Sequence, residues 1–339
     1  MMLEEATQLA ERGVDLPEST MTDCIGVILR GQADDESIYR FLITLAQKGE
    51  TVGELVGAAR AMRCAMVPIR SHHATILDTC GTGGDGTKTF NISTAAAIVC
   101  AAAGVPVAKH GNRKITSSTG SADVLAELGI NLDAEPTIVE RCLNELGLCF
   151  CFAPRFHPAM KNVAAVRRRI TVPTIFNRLG PLSNPARATH QVLGVGDAQL
   201  QEKLSSALNA LGCQRAVVVR GADGVDEVSL SSETIAFDIS ANGISRKLWR
   251  VQDFGFAPQD RAELFADSPQ SSALCIREVL SGQRGAKRDV VLINAAAGLW
   301  IYGVADSLEV CAGRAAEAID SGAAAKLLNQ LAAMSNSTS

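Results

Sequence analysis

Aromatic side chains are scarce in this chain: two Trp, two Tyr and ten Phe amount to 4% of 339 residues. So few rings leave little for the stacking platforms on which single-stranded nucleic acids rest. A basic excess is also missing, with 32 Lys and Arg against 36 Asp and Glu and a formal net charge of -4. No nucleic-acid partner is therefore expected, and any anionic ligand must be held by a few placed groups. The longest apolar run, Ala95 to Ala108, falls short of the roughly 20 residues that cross a bilayer and contains Gly104 and Pro106. It predicts buried helix, turn and strand, and no membrane partner. Ten cysteines occur without any C-x-x-C spacing, and Cys149 and Cys151 flank one Phe on an expected strand, a pattern that suits reduced, buried thiols better than zinc or disulfides. The amino-terminal stretch MMLEEATQLAERG is acidic and amphipathic, unlike a signal or transit peptide, so a cytoplasmic location is expected.

What is present begins with helices. Ile38, Phe41, Leu42 and Leu45 recur at i, i+3, i+4 and i+7 and stop at Gly49. Thr51 with Glu54 forms a capping box ahead of a second stripe, Val52, Leu55, Val56, Ala59 and Met62. The first seventy residues thus predict a small helical domain. From Ala74 onward, short apolar runs (ATIL, VPVA, LCFCFAP, HQVLGV, RAVVVR) alternate with capped helical stretches (Thr94 to Ala103, SADVLAELG closed by Gly129, PTIVERCLNELG, Ala198 to Leu211). That alternation predicts an α/β domain with a mainly parallel sheet covered on both faces. TIAFDISANGISRKLW reads as two antiparallel strands joined at Asn242-Gly243. The last eighty residues are alanine-rich and helical, ending in a polar tail.

Gly81-Thr82-Gly83-Gly84-Asp85-Gly86 satisfies G-x-G-x-x-G. A dinucleotide site would need a carboxylate about 20 positions further on to hold the ribose hydroxyls. No Asp or Glu lies between Gly86 and Asp123, where Lys109, His110, Asn112, Arg113 and Lys114 stand instead. A P-loop is excluded as well, because no Gly-Lys-Ser/Thr closes the stretch. What remains is a loop of backbone N–H groups with little side-chain bulk, able to wrap an anion closely. Asp85 within it would repel a bare phosphate and fits a ligand that also carries hydroxyls or a metal.

Three further groups belong with the loop. Asn91, Ser93 and Thr94 sit where a helix begins, either as a second anion site or simply as the helix cap. KHGNRKITSSTGSAD gathers three cationic side chains, three serines and two glycines ahead of a helix near Ser121, which is what gripping a phosphate requires. GADGVDEVS places Asp226 and Glu227 just past the strand RAVVVR, at the carboxyl end where open parallel sheets bind ligands. With a phosphate loop nearby, Mg²⁺ is the economical counter-ion for that acid pair.

Taken together, GTGGDGTKTFNIST, KHGNRKITSSTGSADVL, FHPAMKNVAAVR, TIFNRLGPLSNP and DGVDEVS resemble the anthranilate phosphoribosyltransferase family, and the resemblance runs from the helical amino terminus to near residue 320. It implies a helical domain over 1–72, joined by a helical segment around 158–185, an α/β phosphoribosyl diphosphate-binding domain over 73–333 and a disordered tail at 334–339. It further implies a homodimer formed through the helical domain. Carried onto this chain, Gly81, Gly84, Asp85, Thr89, Asn91, Ser93, Thr94, Lys109, Ser117 and Ser121 would contact phosphoribosyl diphosphate, with Lys109 and Asp85 as the catalytic side chains. Ser93, Asp226 and Glu227 would ligate Mg²⁺, and Gly81, His110, Asn112, His157 and Arg167 would meet anthranilate. The chain departs from the family pattern at Thr171 and Pro173, where Gly and Arg are usual, and at Arg178, which interrupts an otherwise apolar stretch; these bear on the acceptor.

The chemistry that the resemblance implies is displacement of diphosphate from the ribose C1 by an aromatic amine. Negative charge grows on the leaving group while the ring gains oxocarbenium character, so preorganised cations and amides are needed. The amine is neutral at pH 7 and needs positioning more than a strong base, which agrees with a sequence that offers no obvious nucleophile. A pyrimidine-nucleoside phosphorylase would share the architecture yet would not need the Asp226–Glu227 pair. A non-enzymatic nucleic-acid-binding relative would show a basic surface and eroded acidic motifs.

Overall fold

The computed structural model describes residues 2–83, 87–113 and 119–337. Four helices open the chain: α1 (Met2–Glu11), α2 (Glu18–Leu29), α3 (Asp35–Lys48) and α4 (Val52–Ala65). Asp34 caps α3 by accepting from the N–H groups of Glu36 and Ser37, and Gly49 ends it with φ of 83°. Phe41, Leu42 and Leu45 are wholly buried, each contributing roughly 1.5–3 kcal/mol. The capping box forms as the sequence predicts, with Glu54 N–H donating to Thr51 Oγ1 (3.2 Å) and Thr51 N–H to Glu54 Oε2 (2.8 Å). Glu54 does more than cap, because its carboxylate is buried and also accepts from Leu16 N–H (2.9 Å) and Lys48 Nζ (3.1 Å), tying the helices to one another.

The second part alternates as expected: β1 (Leu77–Gly81), α5 (Ile92–Ala102), β2 (Val107–Gly111), α6 (Ser121–Glu127), α7 (Pro136–Leu146) and β3 (Leu148–Phe152), then two short helices, α8 (Ala153–Phe156) and α9 (Ala164–Arg169). After these come β4 (His190–Gly194), α10 (Ala198–Ala210), β5 (Arg215–Gly221), β6 (Thr234–Ser240) and β7 (Gly243–Trp249). The chain closes with α11 (Pro269–Leu280), α12 (Ala286–Tyr302), α13 (Leu308–Asp320) and α14 (Ala323–Ser335). The seven strands form one sheet ordered β3-β2-β1-β4-β5-β6-β7, parallel as far as β5 and antiparallel beyond it.

Side-chain alternation along the strands divides the interior into two cores. Leu77, Val192, Val217 and Val219 pack with α5 and α12, whereas Leu193, Ala216, Val218 and Ile239 pack with α10 and with α1–α4. Val163, Val166, Ile175, Phe176, Leu179 and Leu182 join the second core, so the chain returns to the helical domain between β3 and β4. The two crossovers between the parts are hydrogen-bonded to each other, Ile69 N–H to Pro185 O at 3.0 Å.

Three expectations need correction. The hairpin turn is Ala241–Asn242, one residue before Asn242–Gly243; Ser240 pairs with Gly243, which opens β7 with φ of 97°. Residues 334 and 335, expected in a disordered tail, complete α14, and Asn336 Nδ2 donates to Gly129 O at 2.9 Å. The cysteines are free, but not all are buried, since Cys64 is exposed. Among the described residues, no helix is long and apolar enough to cross a membrane.

Candidate active site

β1 pairs with β2 on one side and β4 on the other, so the strand order reverses between β1 and β4. Ligands of open α/β sheets bind at the carboxyl ends of such a pair. Here those ends are Gly81 and Gly194, and the loop after β5 closes on both. A β-carbon at Gly194 would lie 1.6 Å from the Asp226 carbonyl oxygen, and one at Gly81 would lie 2.8 Å from Asp226 Oδ2. Only glycine at 194 lets the acidic-loop backbone reach the switch point, while a β-carbon at 81 would push the Asp226 carboxylate aside.

Once there, the acid pair engages the backbone. Gly83 N–H donates to Asp226 Oδ2 (3.1 Å), and Ser93 N–H donates to Glu227 Oε1 (3.2 Å). Glu227 therefore sits at the positive end of α5, where a carboxylate is stabilised. Ser93 and Thr94 lie inside the first turn, and the cap position belongs to Asn91, whose side chain makes no capping hydrogen bond. Instead Asn91 Oδ1 accepts from Thr119 Oγ1 (2.7 Å) and Ser272 Oγ (2.9 Å), and Asn91 N–H donates to Ser272 Oγ (3.0 Å). The cap reading of Ser93 and Thr94 is thus excluded, and Thr94 Oγ1 is buried without a partner among the described residues.

Beneath the helix end lies Lys109, on β2 and 3% exposed, with Nζ donating to Thr79 O and to Ser93 Oγ (3.2 Å). It is packed under the site, so its charge acts through Ser93 and through the field it shares with Asp226 and Glu227. Asp78 is fully buried beside it and accepts from His110 N–H (3.1 Å). Burial pushes the Asp78 carboxyl up and the Lys109 ammonium down, and each charge opposes the other's shift. Thr89 is held by an antiparallel bridge to Phe265. Ser121 begins α6, beside Gly111 at the end of β2. Gly84, Asp85 and Ser117 lie outside the described residues.

The expected acceptor residues gather where the 156–182 segment crosses the end of β2. His110 Nδ1 is 3.0 Å from Gly180 O, which can only accept, so Nδ1 carries the proton. His110 Nε2 then lies 3.2 Å from His157 Nε2, and His157 Nδ1 is buried, with the Ser183 backbone nearby opposing the effect of burial on the ring. Burial, then the charge of the partner ring, holds His110 down to about 3, and burial holds His157 down to about 4. The pair is neutral near pH 7. Asn112 follows β2, its Oδ1 accepting from Arg113 N–H (2.8 Å).

On α9 the arginines separate. Arg169 pairs with Glu36 (3.0 Å) and lies over the Tyr39 ring (4.8 Å). Two positions earlier on the helix, about 200° round, Arg167 faces away from α3, half-buried and with no ion pair or side-chain hydrogen bond among the described residues. Burial lowers its affinity for its proton. Arg178, one of the departures, bonds the buried Glu50 of the α3–α4 connection instead of entering the acceptor region. Thr171 and Pro173 are exposed.

Several contributors were not anticipated: Asp78, Thr79, Thr119, Gly194 and Ser272. Asp78 and Thr79 had a signal, a carboxylate and a hydroxyl inside an apolar strand leading into the glycine loop. Ser272 had none, being 181 residues from the Asn91 it holds.

A glycine-ended switch point, a helix amino terminus and an acid pair brought to it form a site suited to an anionic ligand accompanied by a cation. Residues 73–325 match the a/b domain of the glycosyl transferase family, and residues 6–66 match that family's helical bundle domain. An anthranilate phosphoribosyltransferase of Rhodopirellula baltica is 48% identical over 332 residues, covering 98% of this chain and 97% of the relative. The crystal structure of the Thermus thermophilus enzyme of that name superposes with a TM-score of 0.92 at 38% identity, covering 98% and 99%. A Saccharomyces cerevisiae anthranilate phosphoribosyltransferase in complex with PRPP and Mg gives 0.91 at 26% identity, covering 99% and 98%. The chain belongs to the anthranilate phosphoribosyltransferase family.

Proposed function

We propose that the chain transfers the phosphoribosyl group of phosphoribosyl diphosphate (PRPP) to the amine of anthranilate, giving N-(5-phosphoribosyl)anthranilate and diphosphate in tryptophan biosynthesis. The observation that carries this reading is the convergence of Gly81, the α5 amino terminus and the Asp226–Glu227 loop at the β1/β4 switch point. PRPP is assigned to Gly81, Thr89, Asn91, Ser93, Thr94 and Ser121, together with Gly84, Asp85 and Ser117, with Lys109, expected among the contacts, acting from beneath through Ser93. Anthranilate is assigned to Gly81, His110, Asn112, His157 and Arg167, the guanidinium of Arg167 facing the carboxylate.

Ser93, Asp226 and Glu227 are the assigned holders of Mg²⁺. Their donors are all oxygens, the set this cation takes, and it is commonly held by one or two carboxylates plus substrate phosphates. When bound, it supplies Lewis-acid neutralisation of the charge that develops on the leaving group.

In the reaction the C1–O bond to diphosphate breaks, the C1–N bond forms, and the amine loses one proton. The α5 amino terminus and the buried Lys109 charge favour the departing anion. The attacking nitrogen becomes strongly acidic once bonded to C1, so neutral His110 and His157 suffice to line its pocket. Holding both reactants in line supplies roughly 7–11 kcal/mol of the barrier reduction. The same reading pairs two copies through the helical domain and places them in the cytoplasm. Product analysis tests it: equimolar diphosphate and an acceptor heavier by one phosphoribosyl group are expected, and their absence with both substrates and Mg²⁺ present contradicts it.

A further inference from the structure

A cavity of about 630 Å³ opens at the amino end of β4, at the opposite end of the strands from the transferase site. It is walled by the end of α4, both crossovers and the end of α10, so an occupant touches both sides of the joint between the domains. Its volume falls within the range of small-molecule sites, roughly 300–1,000 Å³.

The lining has an unbalanced charge. Arg60, Arg63 and Arg187 all line the cavity, and among the described residues only Arg60 has a carboxylate partner, the exposed Glu18 at 2.8 Å. Arg63 is half-buried, its Nε donating to Leu182 O (2.7 Å) and its Nη1 to Leu211 O (3.5 Å), which leaves Nη2 for a ligand, while the exposed Arg187 has no side-chain partner among the described residues. Burial lowers the Arg63 proton affinity, with Cys213 opposing that shift and the charges of Arg187 and Arg60 adding to it. Arg187 also holds φ of 51°, a left-handed conformation uncommon for a residue with a β-carbon, in a turn closed by its N–H to Asn184 O at 3.0 Å. Met66, Pro68, Leu208 and Leu211 supply apolar wall between these cations.

We propose that this cavity binds a small organic anion, a carboxylate or phosphate headgroup on an apolar body, at a site separate from the transferase centre. The guanidinium groups of Arg63 and Arg187 take the headgroup, to which their planar forks are matched, and the apolar wall takes the body.

Cys64, exposed on the cavity wall, serves as a local reporter. Its alkylation by neutral iodoacetamide is followed by peptide mass mapping at constant ionic strength, with phenyl phosphate, benzoate or neutral benzyl alcohol as probe. Since only the empty fraction reacts, one or both anions should slow the reaction about tenfold at roughly ten times the probe Kd, and benzyl alcohol should not. Whichever anion protects more strongly identifies the headgroup. Protection should vanish in Arg63→Gln/Arg187→Asn, Asn being tolerant of the left-handed turn, while transferase kcat/KM stays at the parent value. No protection by either anion at millimolar concentration, equal protection by benzyl alcohol, or protection that persists in the double variant would overturn the proposal.

Discussion

The backbone N–H of Ser93 donates to Glu227 Oε1 at 3.2 Å across 134 residues of sequence. With the bond from Gly83 N–H to Asp226 Oδ2, it makes the acidic loop a clamp on the glycine loop and on the α5 amino terminus, as well as the proposed metal holder.

Asp226→Asn combined with Glu227→Gln should lower turnover about a hundredfold and raise the Mg²⁺ concentration for half-maximal rate about 10–100-fold. Both amides keep an acceptor oxygen for the backbone donors, so the loss of stability should stay below about 2 kcal/mol. Magnesium titration of the rate, alongside a thermal melt, checks both. An unchanged metal requirement would reduce the pair to a clamp alone.

Arg167→Ala should raise the KM for anthranilate about tenfold to a hundredfold, the equivalent of roughly 1.5–3 kcal/mol for a hydrogen bond to a charged group, and leave the KM for PRPP nearly unchanged. Arg169→Ala removes an exposed pair with Glu36 and a cation–π contact with Tyr39 and should do little to either constant. Equal losses for both substrates in Arg167→Ala would assign that side chain to the fold.

Arg178 bonds a Glu50 carboxylate that is 1% exposed, and Lys203 Nζ donates to the Glu50 carbonyl at 2.8 Å. Arg178→Met should therefore cost about 3–5 kcal/mol by stranding a buried charge, whereas Arg178→Met with Glu50→Leu should recover most of it. Denaturant midpoints measure both. A raised anthranilate KM in the stable double variant would return Arg178 to acceptor recognition.

The His110–His157 pair makes stability depend on pH. Both folded-state values, about 3 and about 4, lie below the ordinary histidine value of 6.5. The unfolded chain therefore binds more protons between those limits, and the contribution is complete above 6.5 and lost as pH falls toward 4. About 3 kcal/mol per histidine, on the order of 6 kcal/mol for the pair, should disappear over that window, seen as a falling thermal midpoint. His110→Gln/His157→Gln should flatten the profile, and a parallel profile would assign the loss to other groups.

What the sequence made legible was local. The stripe ending at Gly49, the Thr51–Glu54 box and the strand–helix alternation are patterns within a few residues, and the glycine loop carries its own chemistry. The long-range pairings were hidden, because nothing near Glu50 announces Arg178 and nothing near Asn91 announces Ser272. Buried polar residues were also missed: Asp78 is noticed only when Lys109 and the His110 amide stand beside it. The hairpin was located one residue late because Asn-Gly is a strong turn signal, yet Gly243 is needed at the first position of β7.

The most direct measurement is the fluorescence of anthranilate after PRPP is added to the purified enzyme, with Mg²⁺ and then with excess chelator. The signal should decay to completion with Mg²⁺, slow sharply under chelation and recover when Mg²⁺ is restored. A constant signal under every metal condition, from protein shown to be folded, would contradict the assignment.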